Sequence, residues 1–536
     1  MLIAIVALAL ILNTLGITWG LPYHLSWSID DISPWKPLAF PWYWLHGAHK
    51  YPYLHWFLSL VLYAPALAWW ALTGRLETGC LPVILPDESC FADPYGQPGA
   101  LMLVSRLLSA AMGAATVAAV HLLALELRAG RAEARAAALI VAVSYVFVAY
   151  AHVGNLEVPQ CFWFAVSMLC LARVLRRGGR RDYLGFGLAA GCALATKEGV
   201  IGAYALACPL VYAVHVRRHL AGRPLRPRAL LEASLDRGLL LLAGSLLLVY
   251  GVSQNVLLNP RGFLQHWSEW IPSGEHMAKY GERFAGYRWL FQDLVSSLRS
   301  STGAPLAVLC AAGLPYACVR RPWTAVLLVP GVSYLVFSIM LAKFAPERFL
   351  MPLVLLLAVP GGVLAARLLR VRGVLRPVAV ALVAGTFGHG FLYALSGDLA
   401  LRSDSRYAAE DWLRAHVPTS VRIASCSDPI DLPRLDWLGY EPAYFPRDAE
   451  GERALRAWQP EYVIVSGSSP GWFPLHKNRS LQRERVGALG YRTVWEVRGR
   501  TPLEPWFRNP FPWVSPRIAV FAPAPAGTGS GSAGAP

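Results

Sequence analysis

Charge is scarce in this sequence: Asp, Glu, Lys and Arg together make up 15% of 536 residues, while 55% are hydrophobic. An ordinary soluble domain carries about 25% charged residues, so a soluble globular chain is excluded. Acidic residues are the rarer kind, 33 against 49 basic ones, for a net charge of +16. In a soluble protein that balance would suggest nucleic acid. Here much of the arginine stands in short connections between apolar runs, where it carries topology information instead. Zinc-type cysteine spacing is absent. Most of the nine cysteines, including Cys161, Cys170, Cys192, Cys208, Cys310 and Cys318, fall in or beside apolar runs, where a thiol packs as a small hydrophobe. The strand alternation of a membrane barrel is missing. The first apolar run, 2–19, has neither a basic n-region nor a small-residue cleavage site, so it reads as a membrane helix and not as a signal peptide.

What the chain does have is a series of apolar stretches long enough to cross about 30 Å of hydrocarbon, roughly 17 to 25 residues each. They lie at 2–19, 101–127, 136–153, 158–175, 183–195, 200–216, 238–256, 304–319, 324–341, 349–369 and 378–395. The expected fold class is therefore an α-helical polytopic membrane protein with about 11 transmembrane helices. Arginines gather in every second connection, at Arg128/Arg131/Arg135, Arg176/Arg177/Arg180/Arg181, Arg217/Arg218/Arg223/Arg226/Arg228, Arg320/Arg321 and Arg370/Arg372/Arg376. The positive-inside rule puts these connections in the cytoplasm and the others, with everything after Leu395, outside. The stretch 55–72 is nearly long enough to span, but it is aromatic throughout and holds Pro65. It is expected to lie in the outer interface.

After Asp398 the pattern becomes that of a soluble α/β domain: 407–416 reads as an amphipathic helix, and 421–424 and 462–465 as short buried strands. The expected organisation is a membrane domain over 1–397, with outer loops at 21–100 and 257–303, an extracytoplasmic α/β domain over 398–521, and a Gly/Ala/Ser/Pro tail over 522–536 too poor in apolar residues to fold. Cys80 and Cys90 flank a polar segment placed outside, where a disulfide is open to them. The sequon at Asn478-Arg479-Ser480 is too short a pattern to carry weight.

The residues that can carry chemistry collect on the outer side. Asp30 and Asp31 follow the first helix, and a carboxylate pair near a membrane needs partners or a role; desolvation and a like-charged neighbour can tune one of them as a general base. Lys50 and Tyr51 sit in HKYPYLHW, where the lysine either snorkels or neutralises a phosphate. His152, Asn155 and Glu157 share the very short connection HVGNLEVP; Asn155 can cap the next helix and Glu157 can favour its dipole. Lys197 with Glu198 in ATKEGV, and Lys343, Glu347 and Arg348 in KFAPERFLMP, end apolar runs on the same side. Cations on several helix ends suit an anionic lipid headgroup. The long outer connection adds Asn259, Arg261, His266, Glu269, His276 and Lys279.

In this order, DD after the first helix, KYPYLHW, SRLLSAAMG, HVGNLEVP, ATKEG, the NP-x-x-F loop with its downstream H-x-x-x-Y-G, and RFLMPLVLLLAVPGG resemble the GT-C superfamily of membrane glycosyltransferases, specifically relatives of protein O-mannosyltransferases and of the aminoarabinose transferase of lipid A. The resemblance covers most of the chain. It implies a GT-C fold with 55–72 not spanning, a polyprenyl-phosphate sugar as donor, and catalytic roles for Asp30, Asp31 and Glu157. It also implies substrate-binding roles for Lys50, Tyr51, His152, Asn155, Lys197, Arg261, His276, Lys279 and Arg348. Two positions depart from the family pattern: a commonly aspartate position is Glu157, and a lysine-proline-proline appears as Lys50-Tyr51-Pro52. These departures leave open the exact donor and whether a divalent metal ion serves as cofactor. The implied reaction is inverting transfer of the sugar to a hydroxyl of a lipid, polysaccharide or protein acceptor at the outer face of the cytoplasmic membrane. No glycine-rich phosphate loop follows a strand, so no nucleotide-sugar site is expected. Competing classes are a polytopic transporter or lipid flippase, against which stands the lack of an internal repeat, and a noncatalytic scaffold, which would tolerate loss of the acids.

Overall fold

The computed structural model of the chain describes residues 1–23, 26–28, 31–77, 88–221, 226–276, 284–446, 448–467, 481–499, 501, 503–504, 506–507 and 514–524. Asp30, Cys80, Lys279, the sequon and the end of the tail lie outside them, and of His276 only the backbone is described. The chain forms two compact units, Met1–Ile17 with Ile32–Leu395, and Thr18–Asp31 with Ser396–Pro536.

The described residues of the first unit are mainly helical, with one isolated β-bridge between Leu76 and Phe91. In chain order its helices are α1 (Leu2–Thr14), α2 (Trp35–His46), α3 (Leu54–Leu72), α4 (Gly96–Glu126), α5 (Arg131–Ala142), α6 (Tyr145–Ala151), α7 (Glu157–Arg176), α8 (Arg180–Thr196), α9 (Ile201–Leu220), α10 (Pro227–Ser234), α11 (Arg237–Ser253), α12 (Pro260–His276), α13 (Phe284–Thr302), α14 (Ala304–Arg320), α15 (Leu328–Tyr334), α16 (Met351–Leu368) and α17 (Arg376–Arg402), which continues past Leu395. Seven described helices are long and apolar enough to cross a membrane, or ten counting three bent pairs. Two of the eleven expected runs are not among these candidates. α1 has 13 residues and reaches only about 20 Å at 1.5 Å per residue, and α8 begins with Arg180, Arg181 and Asp182. Conversely α3 is one continuous helix that accommodates Pro65, and its length and composition place it among the candidate spans. The run 136–153 divides into α5 and α6, bent by 53°.

Lipid-side and protein-side positions separate cleanly. Leu247 and Leu248 of α11 are 66% and 64% exposed, which in water would be an aggregating surface and in hydrocarbon is a lipid-facing one. On the inner faces small residues let backbones approach, as expected where helices meet without a hydrophobic drive. A Cβ on Gly362 of α16 would lie 2.5 Å from the Ala137 nitrogen of α5, and one on Gly187 of α8 would lie 2.3 Å from the Leu242 carbonyl of α11. Cys90 is disulfide-bonded.

The second unit holds α18 (Ser405–His416), α19 (Ala449–Trp458), α20 (Leu481–Ala488) and five strands: β1 (Ile423–Ser425), β2 (Ala443–Tyr444), β3 (Tyr462–Gly467), β4 (Tyr491–Val497) and β5 (Arg517–Pro523). The sheet order is β2-β1-β3-β5-β4, parallel at β2/β1/β3 and antiparallel at β3/β5/β4. Strand alternation sorts the core onto two faces. Ile423, Ile464, Ile518 and Val520 pack with Ala409 and Leu413 of α18, while Ala424, Val463, Val465, Ala519 and Phe521 pack with Leu455 and Val486. The sheet also takes in Ala522 and Pro523, assigned to the tail by composition, because they pair with Arg492 and Tyr491.

Candidate functional site

The site is built from helix ends. Asn155 accepts the Glu157 N–H with its side-chain carbonyl at 3.2 Å, satisfying one of the donors a helix start leaves open. Pro159 stands in the first turn, where its missing N–H costs nothing. Glu157, at the start of α7, is 5% exposed, with the helix dipole favouring its carboxylate. α8 ends at Thr196, and Lys197 leaves it in extended backbone, φ −164° and ψ 131°. Successive side chains on extended backbone point opposite ways. Lys197 and Glu198 accordingly serve two different clusters.

Lys197 donates to Glu157 Oε1, and Arg348, from the turn before α16, brings its Nε to 3.6 Å of the same oxygen. Gln160, one turn into α7, donates to the Lys197 carbonyl. The Lys197 ammonium lies 5.5 Å from the Tyr51 ring centre and 5.3 Å from that of Phe349. Lys50 shares the Tyr51 ring at 6.0 Å and Arg348 the Phe349 ring at 5.6 Å. Lys50, Tyr51, Glu157, Lys197 and Arg348, far apart in sequence, therefore meet. Among the described residues, Lys197 and Arg348 face the Glu157 carboxylate, and Lys50 joins the group through the Tyr51 ring. The side chains of Lys197 and Arg348 keep 14% and 21% exposure, and the Asn155 amide nitrogen is buried with no hydrogen-bond partner. An under-neutralised, partly open cationic pocket with a spare donor is suited to an anion.

Glu198, fully buried, faces the other way. Its Oε1 receives Tyr250 Oη at 3.1 Å and Gln254 Nε2 at 3.2 Å, and lies 2.8 Å from His266 Nε2. His266 Nδ1 is 2.6 Å from the His49 carbonyl. Asn259 donates to the Gly47 carbonyl at 2.8 Å, and Asn255 to that of Trp44 at the same distance. These bonds stitch α12 and the end of α11 to the segment that carries Lys50. Burial opposes a charged His266, but the hydrogen bond and charge of Glu198 outweigh it and raise its pKa above the usual value. His49 is pushed down to about 4 by burial and by neighbouring cations, Lys36 first.

The other expected residues make contacts of their own. His152 has its ring nitrogens 2.7 Å from the Val148 carbonyl and 2.9 Å from that of Leu15, tying the end of α6 to the end of α1. Asp31 is buried in the second unit and accepts the Ser26 hydroxyl at 2.8 Å. Arg261 is exposed in the first turn of α12. Sequence reasoning passed over Gln160, Phe349, His49, Tyr250 and Gln254. The last two had a readable signal, polar residues four apart at the end of an apolar helix, which share one face. Among the described residues, the group of His, Cys, Asp or Glu side chains that converges as metal ligands is His215, His219 and Asp236; Glu157 is not part of it.

Residues 94–228 match the family model of dolichyl-phosphate-mannose-protein mannosyltransferases. That region contains Asn155, Glu157, Gln160, Lys197 and Glu198. Among solved structures, the chain is similar to ArnT from Cupriavidus metallidurans bound to undecaprenyl phosphate, at 12% identity and a TM-score of 0.48, covering 97% of each chain. It is also similar to the Archaeoglobus fulgidus oligosaccharyltransferase tethered to an acceptor peptide, at 11% identity and a TM-score of 0.46, covering 87% of this chain and 69% of that one. The Saccharomyces cerevisiae protein O-mannosyltransferase Pmt1-Pmt2 complex bound to the sugar donor follows at 16% identity and a TM-score of 0.32, over 50% of this chain and 34% of that one. No curated protein matches.

Proposed function

We propose that this chain is an inverting glycosyltransferase that moves a sugar from a polyprenyl-phosphate lipid to a hydroxyl acceptor at the outer face of the cytoplasmic membrane. The observation that carries the reading is the convergence of Lys197 and Arg348 on the carboxylate of Glu157 at helix ends, with Lys50 against the Tyr51 ring that Lys197 also meets. A polyprenyl phosphate needs this combination, cations for its headgroup beside apolar helix surface for its chain.

In the reaction the acceptor oxygen forms a bond to the anomeric carbon from the side opposite the phosphate. The carbon–oxygen bond to phosphate breaks, and the bonding pair leaves with the polyprenyl phosphate. Charge on that phosphate rises as the bond breaks, so Lys197 and Arg348 bind the transition state more tightly than the ground state. Lys197 is held for this by Glu157, by the Gln160 bond to its carbonyl and by the rings of Tyr51 and Phe349. Asp30 takes the acceptor proton, and Asp31 tunes it. The family match over residues 94–228 supports the donor class. Sugar transfer by the purified full chain in lipid, from polyprenyl-phosphate sugars extracted from the native envelope, tests the reading. Transfer with inverted anomeric configuration is expected. Binding of the lipid without any transfer to hydroxyl acceptors overturns it.

A further inference from the structure

We infer that His215, His219 and Asp236 form a binding site for a borderline transition-metal cation of the Zn²⁺ class, at the end of α9 remote from Lys197. His215 and His219 are four residues apart, so both rings stand on one face of α9, roughly 20 Å along it from its start. Asp236 comes from the turn between α10 and α11. One ligand atom from each of the three residues lies within 4.8 Å of the other two, and His215 Nε2 is 3.7 Å from Asp236 Oδ1. Tetrahedral bonds of about 2.0 to 2.1 Å set ligand atoms about 3.4 Å apart. A small rotation of the exposed His219 and half-buried Asp236 side chains closes the set.

The second observation is the state of His215. Its side chain is 10% exposed, and Nε2 makes no hydrogen bond of good geometry. The other ring nitrogen, Nδ1, lies 2.8 Å from the Tyr183 hydroxyl. With Nδ1–H donated to that oxygen, Nε2 presents its lone pair to the cluster, as imidazole ligands do when an outer partner fixes the tautomer. An ordinary ion pair accounts poorly for the geometry. The 3.7 Å separation is beyond hydrogen-bond reach, and Asp236 Oδ1 already accepts the Gly238 N–H at 2.7 Å as the cap of α11. The adjacent cation Arg218 is held by the carbonyls of Val174 and Leu175, to which its guanidinium donates, and by the Tyr183 side chain. Two imidazoles and one carboxylate select Zn²⁺, Co²⁺ or Ni²⁺ over Mg²⁺ or Ca²⁺ and leave a fourth position for water. The bound ion ties the end of α9 to the start of α11.

The full chain, purified in detergent and stripped with chelator, is titrated with Co²⁺ alone, following the ligand-field absorption of tetrahedral cobalt and, separately, the thermal midpoint with Zn²⁺. The wild type is expected to take up one equivalent at this site and to gain thermal stability. His219→Ala, at an exposed position, and Asp236→Asn, which keeps the helix cap, should each lose that equivalent and that gain while melting like the wild type without metal. Lys197→Gln should retain both. Absence of saturable cobalt uptake by the wild type, or uptake undiminished in both His219→Ala and Asp236→Asn, overturns the site.

Discussion

Two buried ionic clusters in this molecule look alike in composition and differ in how completely they are satisfied. In the second unit Arg406 and Asp404 are paired through both carboxylate oxygens at 2.9 and 2.7 Å, and Asp404 also accepts from Trp19 Nε1 and the Ser515 N–H. Arg434 grips Glu410 at 2.7 and 2.5 Å, donates to the Leu21 carbonyl and lies against Trp27 and Trp437. These guanidiniums and carboxylates are 4% exposed or less. The Glu157 cluster has one direct hydrogen bond to Lys197, an arginine at 3.6 Å, cations that keep solvent exposure and a buried amide donor with no partner. A saturated ionic network fixes a fold; one of the same residue types that keeps solvent exposure and a donor without a partner can accept a ligand.

The sharpest way to break this contrast is to remove the proton acceptor that the reading requires. Asp30→Asn should lower sugar transfer by about a hundredfold to ten-thousandfold in correctly folded protein at saturating donor and acceptor. Near-wild-type turnover would remove Asp30 from the role and move Glu157→Gln to the front of the series. Next in size is a pure stability effect. Arg434→Met leaves Glu410 buried and unpaired and should cost about 3 to 5 kcal/mol, read as a lowered thermal midpoint of the full chain. A midpoint equal to wild type would mean that the saturated network does not hold the unit together.

Lys197→Gln should behave in the opposite way. Arg348 remains beside Glu157, so the fold should be largely kept, while the apparent affinity for the polyprenyl-phosphate donor falls by roughly tenfold or more, the scale of one charge-assisted phosphate contact. Unchanged donor affinity with a large drop in stability would make this cluster structural after all.

Much of the architecture was legible because bilayer thickness and helix rise leave few solutions: nine of the eleven expected runs recur as spans or bent pairs. The two that fall short do so for local reasons, the 13 residues of α1 and the charged start of α8. Charges at the ends of apolar runs pointed to Lys197, Arg348 and Glu157, since such residues are costly without a partner. Their mutual pairing was not legible, because it depends on where α7, α8 and the turn before α16 end in space. Nor was the division of labour between Lys197 and Glu198, which follows from one extended residue after α8. The grouping of Thr18–Asp31 with the C-terminal unit rests on contacts such as Trp19 with Asp404, 385 positions apart, which no local pattern announces.

The smallest effect expected is a pH dependence of the outer-loop cluster, and it divides the two faces of the Lys197-Glu198 pair. His266 has a folded pKa raised above 6.5 by Glu198. Its contribution to stability is therefore complete below about 6.5 and is lost as pH rises through the folded value. His49 has a folded pKa lowered to about 4, so the fold prefers it neutral, and stability is lost as pH falls from about 6.5 toward 4. The charged groups facing these rings are Glu198, Glu269, Lys36 and Lys50, and each histidine also faces the other. Protection of α12 against hydrogen exchange should accordingly peak near pH 6.5 and fall on both sides by roughly 1 to 3 kcal/mol. His266→Gln should remove the alkaline limb and His49→Gln the acid limb, with donor affinity at pH 6.5 less affected than by Lys197→Gln. A flat profile in the wild type, or a profile unchanged by either substitution, would show that the Glu198–His266 contact does not hold α12 in place.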